Sequence, residues 1–443
     1  MLGDYRITGR GAAEIADSVE RGVGRGALAP GDPLPPLREL ATALGVNPNT
    51  VAAAYRTLRE RGVIETAGRR GSRVRQRPAT APRESVRVEP PPGGVDLSTG
   101  NPDPALLPPL AAAFAASADR AARAPVLYGA PDTDPGFASL ARAALDADGV
   151  PAGPLAVTSG SLDAIERVLT AHLRPGDAVA VEDPGWGSLL DLVPALGLRP
   201  VPVPVDDSGP LPADLERALA QGARAALVTD RAQNPTGAAL TDRRAGELRA
   251  VLAARPETLL IEDDHGHGIV DLPLHPLAGA THRWALVRST AKAYGPDLRL
   301  AVLTGDPLTV DRVRGRQRLG PGWVSHLLQQ AVAHLWEAGT TCPEQVAGSY
   351  GARRSALIGA LAARGVAAHG RSGMNVWVPV PDETGPVARL LQAGWAAAPG
   401  ARFRIASPPG LRLTVSPLSE ADIERVAADV AAALRPTGGG RFD

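Results

Sequence analysis

Apolar positions follow two different rhythms along the chain. Over 11–27 (GAAEIADSVERGVGRGA), Ile15, Val19 and Val23 recur at helical spacing, and Pro30-Gly31 ends that helix. In PLRELATALGV, Leu37, Leu40, Ala41 and Leu44 form an i, i+3, i+4, i+7 stripe closed by Gly45. A third helix is predicted after Asn47-Pro48-Asn49-Thr50, with Val51, Ala54, Tyr55 and Leu58 inward, running to about Arg61. Two short helices joined by a tight turn make a helix-turn-helix, and VIETAGRRGSRVRQ adds two short strands around a basic turn, a wing. Residues 78–95, rich in Pro, Arg, Glu and Gly and without periodicity, read as a linker. Beyond them the short apolar runs LAVTS, AVAVED, AALVTD, TLLIEDD, WALVRS and LAVLTG alternate with amphipathic helices, as in an α/β domain with a largely parallel sheet. The expected organisation is therefore a winged helix-turn-helix head over 1–77, a linker over 78–95 and an α/β domain over 96–443.

Composition sharpens this. The 443 residues are 44% apolar, ample for a large core, and no stretch approaches the roughly 20 apolar residues of a membrane span. MLGDYRITGR lacks the layout of a signal peptide, so a cytoplasmic protein is expected. The single cysteine, Cys342, excludes an internal disulfide and a cysteine-rich zinc site. The net charge of zero hides a basic head: residues 1–77 carry 13 Arg against 8 Asp and Glu, which points to a polyanion partner. The chain holds 46 Arg and one Lys, Lys292. A guanidinium replaces an ammonium as a charge but not as the primary amine that condenses with an aldehyde.

The segments around Lys292 fit pyridoxal 5′-phosphate (PLP), which needs that amine, a carboxylate at the pyridine nitrogen, a flat side chain against the ring and donors around the phosphate. Ser159-Gly160-Ser161 lies between a strand and a helix, where free amides suit a phosphate. Trp186 follows a strand end and can stack on the ring; Asn234, in an NPTG turn expected to end a strand, can donate to the ring hydroxyl. Asp263 ends TLLIEDD and suits the pyridine nitrogen. Ser289 and Arg299 flank Lys292 with a hydroxyl and a cation. Singly, each has an ordinary structural explanation; the series is far more specific. His265 and His267 beside two carboxylates imitate a metal site, but an i, i+2 pair is a poor signal and no metal is expected.

LPPLRELATALGVNPNTVAAAYRTLRERGVIETAGRRGSRV resembles the GntR winged-helix family, and residues 96–435 resemble fold-type I aminotransferases; joined, they look like the MocR branch of GntR regulators. The resemblance implies that the third helix enters the DNA major groove, with Arg38, Asn49, Thr50 and Arg70 as contacts. It implies an internal aldimine at Lys292, Asp263 on the pyridine nitrogen, Asn234 at O3′, Trp186 stacked, and Ser159, Gly160, Ser161, Ser289 and Arg299 around the phosphate. Tyr128 would reach the phosphate of a second subunit in a homodimer, and Arg412 would grip an effector carboxylate. The chain departs from the family where Asp-Asp-Tyr becomes Asp263-Asp264-His265, removing a phenol expected near O3′, with His265 a substitute donor. Pro135-Gly136 in YGAPDTDPG also departs from the family's usual Gly-Leu-type turn beyond Tyr128. The function expected is a DNA-binding transcription regulator sensing PLP or an amine or amino-acid effector; the alternative is an active aminotransferase carrying a DNA-binding domain.

Overall fold

The computed structural model describes residues 5–25, 27–29, 31–60, 63–66, 71–74, 89–339 and 342–435. The expected wing contact Arg70 and the linker stretch 78–88 lie outside the described residues. The chain divides into two compact units, one of residues 1–81 with the segments 173–177 and 193–199, the other comprising the remainder.

In the first unit, α1 spans Ala12–Gly24, α2 Leu37–Leu44 and α3 Pro48–Glu60, followed by β1 Ile64–Thr66 and β2 Ser72–Val74, paired antiparallel with Ile64 opposite Val74. Of the inward positions expected from the periodicity, Ile15, Val19, Leu40, Ala41, Val51, Ala54, Tyr55 and Leu58 form one core with Ile64 and Val74, Val23 and Leu44 pack half-buried against it, and Leu37 is exposed. Tyr55 donates from its hydroxyl to Pro35 O at 2.8 Å, fastening α3 to the start of α2. Gly45 closes α2 at φ +65°, a left-handed position that glycine takes without steric cost. Two boundaries differ from expectation. α1 stops at Gly24, before residue 27, and α3 starts at Pro48 rather than after Thr50. At α3, Asn47 caps the helix, its Oδ1 accepting from Asn49 N at 2.9 Å, and proline suits the first helical position because its missing N–H is not needed there. Asn49 and Thr50 thus belong to the first turn of α3.

The second unit is built on an eight-stranded sheet in the order Leu155–Thr158, Ala301–Gly305, Arg283–Ser289, Leu259–Asp264, Ala223–Thr229, Ala178–Asp183, Arg199–Asp206, Gly209–Pro210. The strands at its heart run parallel, and Ala301–Gly305 runs against both neighbours. The LAVLTG run therefore makes the sheet mixed, which its apolar character alone did not reveal. Ala178–Asp183 and Leu259–Asp264 are buried at every position, as strands covered on both faces are. A three-stranded antiparallel sheet of Asn375–Pro379, Gly410–Thr414 and Ala398–Pro399 carries the C-terminal part, and Val95–Asp96 pairs in parallel with Trp395–Ala396. Among the described residues no helix is long and apolar enough to cross a membrane.

Candidate functional site

The ends of the parallel strands converge on a cavity of about 320 Å3 whose lining includes Gly160, Ser161, Trp186, Asn234, Asp263, His265, Ser289, Lys292, Arg299 and Arg412. Ligand sites of open α/β sheets form at the carboxyl ends of the strands, where loops leave side chains free to point at one space. Ser161 opens the helix Ser161–His172 directly after the strand Leu155–Thr158. Gly160 has φ +102°, and a Cβ there would meet Arg299 Nη2 at 2.9 Å, so the glycine lets that guanidinium approach the backbone. Ser159 is not in the lining; its carbonyl accepts from Arg299 Nη2 at 3.0 Å. Lys292 sits in a four-residue helix, Ala291–Tyr294, just beyond the strand Arg283–Ser289, and its Nζ donates to Gly100 O at 2.7 Å.

Asp263 and Asp264 sit side by side on one strand and serve different ends, because successive side chains point to opposite faces. Asp264 is enclosed by guanidinium groups, Arg231 Nε at 2.8 Å and Arg288 Nε at 2.9 Å. Burial pushes its pKa up, but Arg288 and Arg231 outweigh this and hold the carboxyl well below the ordinary range. Asp263 faces the cavity, and its Oδ2 accepts from His265 Nδ1 at 2.9 Å. His265 lines the cavity, and its Nε2 donates to Ala232 O at 2.6 Å, so both its ring nitrogens are engaged with the protein.

The two histidines, His265 and His267, serve different surroundings. His267 lies with Asp148 and Asp264, one donor atom of each within 4.8 Å of the others, yet Arg231 and Arg288 already bind both carboxylates. Burial, then Arg288, brings the pKa of His267 down to about 4.

Asn234 also stands elsewhere than expected: the strand Ala223–Thr229 ends five residues before it, and the NPTG turn carries it to the cavity. Its Oδ1 accepts from Arg412 Nη1 at 3.0 Å. Arg412, only 3% exposed in the strand Gly410–Thr414, also donates from Nη2 to Ser98 O and lies over the Phe403 ring, 4.6 Å from its centroid. Tyr128 is 94% exposed, edge-on to Trp323 at 5.8 Å, and takes no part in the cavity of its own chain. In the head, Arg38 and Asn49 are exposed and Thr50 half-buried.

Several site residues escaped the sequence reading. Ser98, Thr99 and Gly100 bind the two cations or line the cavity, and the GNPDP run that follows is the sort of signal that marks a functional turn. Asp183 accepts from the backbone N–H groups of Ile405, Ala406 and Ser407 at 2.7–2.9 Å, a contact between distant segments that no local pattern announces.

The donor set fits PLP. Asp263 Oδ1 and Ser161 Oγ are buried and have no hydrogen-bond partner among the described residues, an acceptor of the kind a pyridine nitrogen needs and a donor of the kind a phosphate needs. A winged helix-turn-helix ahead of a fold-type I aminotransferase-like domain defines a transcription regulator of the MocR type. The chain belongs to this group: residues 12–74 match the gntR family of bacterial regulatory proteins and residues 92–430 the aminotransferase class I and II family, whose cofactor is PLP. It is 43% identical, over 97% of its length and 99% of the relative's, to the vitamin B6 salvage pathway transcriptional repressor PtsJ of Salmonella typhimurium. It is 32% identical, over 66% of its length and 65% of the relative's, to the pyridoxine biosynthesis transcriptional regulator PdxR of Corynebacterium glutamicum. Among solved structures, aspartate aminotransferase of Thermus thermophilus with maleate superposes with a TM-score of 0.67 at 25% identity, covering 77% of this chain and 92% of that one.

Proposed function

We propose that this regulator senses PLP itself, and that occupation of the cavity sets how the helix-turn-helix head engages DNA. The observation that carries this is the near full-length similarity to a vitamin B6 salvage repressor, combined with a cavity whose lining includes a buried carboxylate oxygen and a buried hydroxyl with no hydrogen-bond partner among the described residues. When bound, PLP supplies an aldehyde carbon open to a primary amine. Lys292 is the residue that holds it there, Asp263 keeps the ring nitrogen protonated, Trp186 packs on the ring and Asn234 donates to its hydroxyl. Gly160, Ser161, Ser289 and Arg299 hold the phosphate, with Ser159 positioning Arg299.

Arg412 is the seat for the carboxylate of an amino-acid effector, because a guanidinium fork matches a carboxylate in geometry as well as charge. Leu127, Tyr128 and Leu319, exposed at 71%, 94% and 85%, support a homodimer in which Tyr128 serves the second subunit's cavity. The head, residues 1–77, reads DNA through Arg38, Asn49, Thr50 and Arg70, and the protein works in the cytoplasm. Turnover as an aminotransferase is the second reading, favoured by the presence of both Lys292 and Arg412 in one cavity. Adding PLP to cofactor-free protein should produce a visible absorbance band, and borohydride should fix the cofactor to the Lys292 peptide. An unlabelled Lys292 peptide would overturn the assignment.

A further inference from the structure

We propose that His265 is a positioning residue: it grips Asp263 by Oδ2 so that Oδ1 alone is left for the cofactor's ring nitrogen, and it does not serve the ring hydroxyl. The inference rests on PLP occupying the cavity. Its geometric basis is that the two ring nitrogens face two acceptors, the Asp263 carboxylate at 2.9 Å and the Ala232 carbonyl at 2.6 Å. An imidazole that donates from both nitrogens is an imidazolium and has no third N–H to offer.

The Ala232 carbonyl is aimed by an uncommon backbone. Ala232 has φ +57°, and the only other non-glycine residue with positive φ among the described residues is Arg299; both line the cavity. Such a conformation costs of order 1 kcal/mol or more and persists only where the surroundings enforce it. Here Ala232 N donates to Ser372 Oγ at 2.8 Å, and Gly373 packs so close that a Cβ on it would lie 2.6 Å from Ala232 Cβ. The carbonyl is thus fixed in place as the second acceptor of His265.

The charged and titratable groups facing His265 are Asp263, Lys292 and Glu182. Burial of the ring and the nearby Lys292 oppose a second positive charge, but Asp263 and the Ala232 carbonyl outweigh them and raise its pKa above the ordinary value. His265 thus holds Asp263 from one side through Oδ2, and the remaining oxygen, Oδ1, is buried with no hydrogen-bond partner among the described residues. A phenol at position 265 would have donated to the ring hydroxyl; the imidazolium instead fixes the group that meets the opposite end of the ring. Of the residues assigned to that hydroxyl, Asn234 remains, and its contact with Arg412 uses Oδ1 and so does not consume its NH2 donor.

The test compares the full-length parent with His265→Asn, His265→Phe and His265→Tyr, after circular dichroism has established that each is folded. Nitrogen-15 NMR of the cofactor-free parent should show both His265 ring nitrogens protonated at pH 7. PLP should bind His265→Asn, which keeps one donor for Asp263, far more tightly than His265→Phe, whose affinity should fall by about tenfold or more. In PLP-loaded His265→Tyr the pKa of the visible chromophore should fall below the parent's, because a new donor at the hydroxyl stabilises its anion. A singly protonated His265, or a His265→Tyr chromophore that titrates with the parent, would overturn the proposal. Absence of a visible band in the parent would refute PLP occupation and the proposed role at the ring with it, while the NMR result would still decide whether His265 grips Asp263.

Discussion

Lys292 and Gly100 are joined by a 2.7 Å hydrogen bond from the ammonium to the backbone carbonyl, 192 residues apart in sequence. Two residues earlier the Ser98 carbonyl accepts from Arg412. The segment 98–100 is therefore tied to two of the cations that line the cavity, the amine proposed to hold the cofactor and the guanidinium proposed to hold a carboxylate. A ligand that engages either cation competes with a tether on a segment only a few residues beyond the expected linker. A population shift of this kind needs only a difference in contacts between the bound and free states.

Gly100 should not tolerate a side chain. Its φ is +65°, and a Cβ would meet Arg412 Nη1 at 3.2 Å. Gly100→Ala combines a left-handed backbone penalty of about 1–2 kcal/mol with a displaced guanidinium. We expect a lower thermal midpoint and a weakened response to amino acids, measured by calorimetry and by spectral titration. An alanine variant matching the parent in both would show that the contact is slack.

Arg412→Ala should retain PLP and its visible band but need far more amino acid to shift it. Loss of a charge-assisted bidentate contact costs on the order of 2–4 kcal/mol, more than an order of magnitude in affinity. Simple amines without a carboxylate should act more nearly alike on the two proteins. Arg412→Lys should recover only part of the loss, since an ammonium cannot make the planar fork.

Glu182 should make stability fall as pH rises. Burial pushes its carboxyl up to about 7 from the ordinary 4.5, against hydrogen bonds from Thr229 and Gln233 that favour the anion. An acid whose folded pKa is raised contributes its full stability below the unfolded value and loses it as pH climbs through the folded one. Between pH 4.5 and just above 7 this group should therefore withdraw up to about 3 kcal/mol. Denaturant titrations of the parent and Glu182→Gln across that window should differ in slope, with the variant flatter.

The head should bind duplex DNA with a steep salt dependence, as phosphate neutralisation releases counterions. Asn49→Ala, in the exposed first turn of α3, should mainly relax base preference. Arg38→Ala should weaken binding to all sequences and reduce the salt slope by about one. Fluorescence anisotropy at several salt concentrations separates the two behaviours.

The sequence revealed most of this fold because the elements that matter announce themselves locally. The stripes of α2 and α3 and the six apolar runs all reappear as helices and strands, and Lys292 is marked by being the one lysine. What stayed hidden depends on distance or direction. Strand polarity is not written in an apolar run, so the reversed Ala301–Gly305 was missed. The turn that brings Asn234 to Arg412, and the contacts of Ser98 and Gly100, join segments far apart in sequence. His265 was legible as a departure but not as a partner of Asp263, because its orientation is set by the Ala232 carbonyl from another strand's loop.

The most direct measurement is the DNA affinity of the full-length protein with and without PLP, for the parent and for Lys292→Ala, on a duplex selected from a random library by the parent. We expect PLP to change the parent's dissociation constant by about fivefold or more, the range typical of coupled sites, and to leave that of Lys292→Ala where it stands. Parent protein that carries PLP on Lys292 yet binds the duplex with the same affinity in both conditions would contradict PLP sensing.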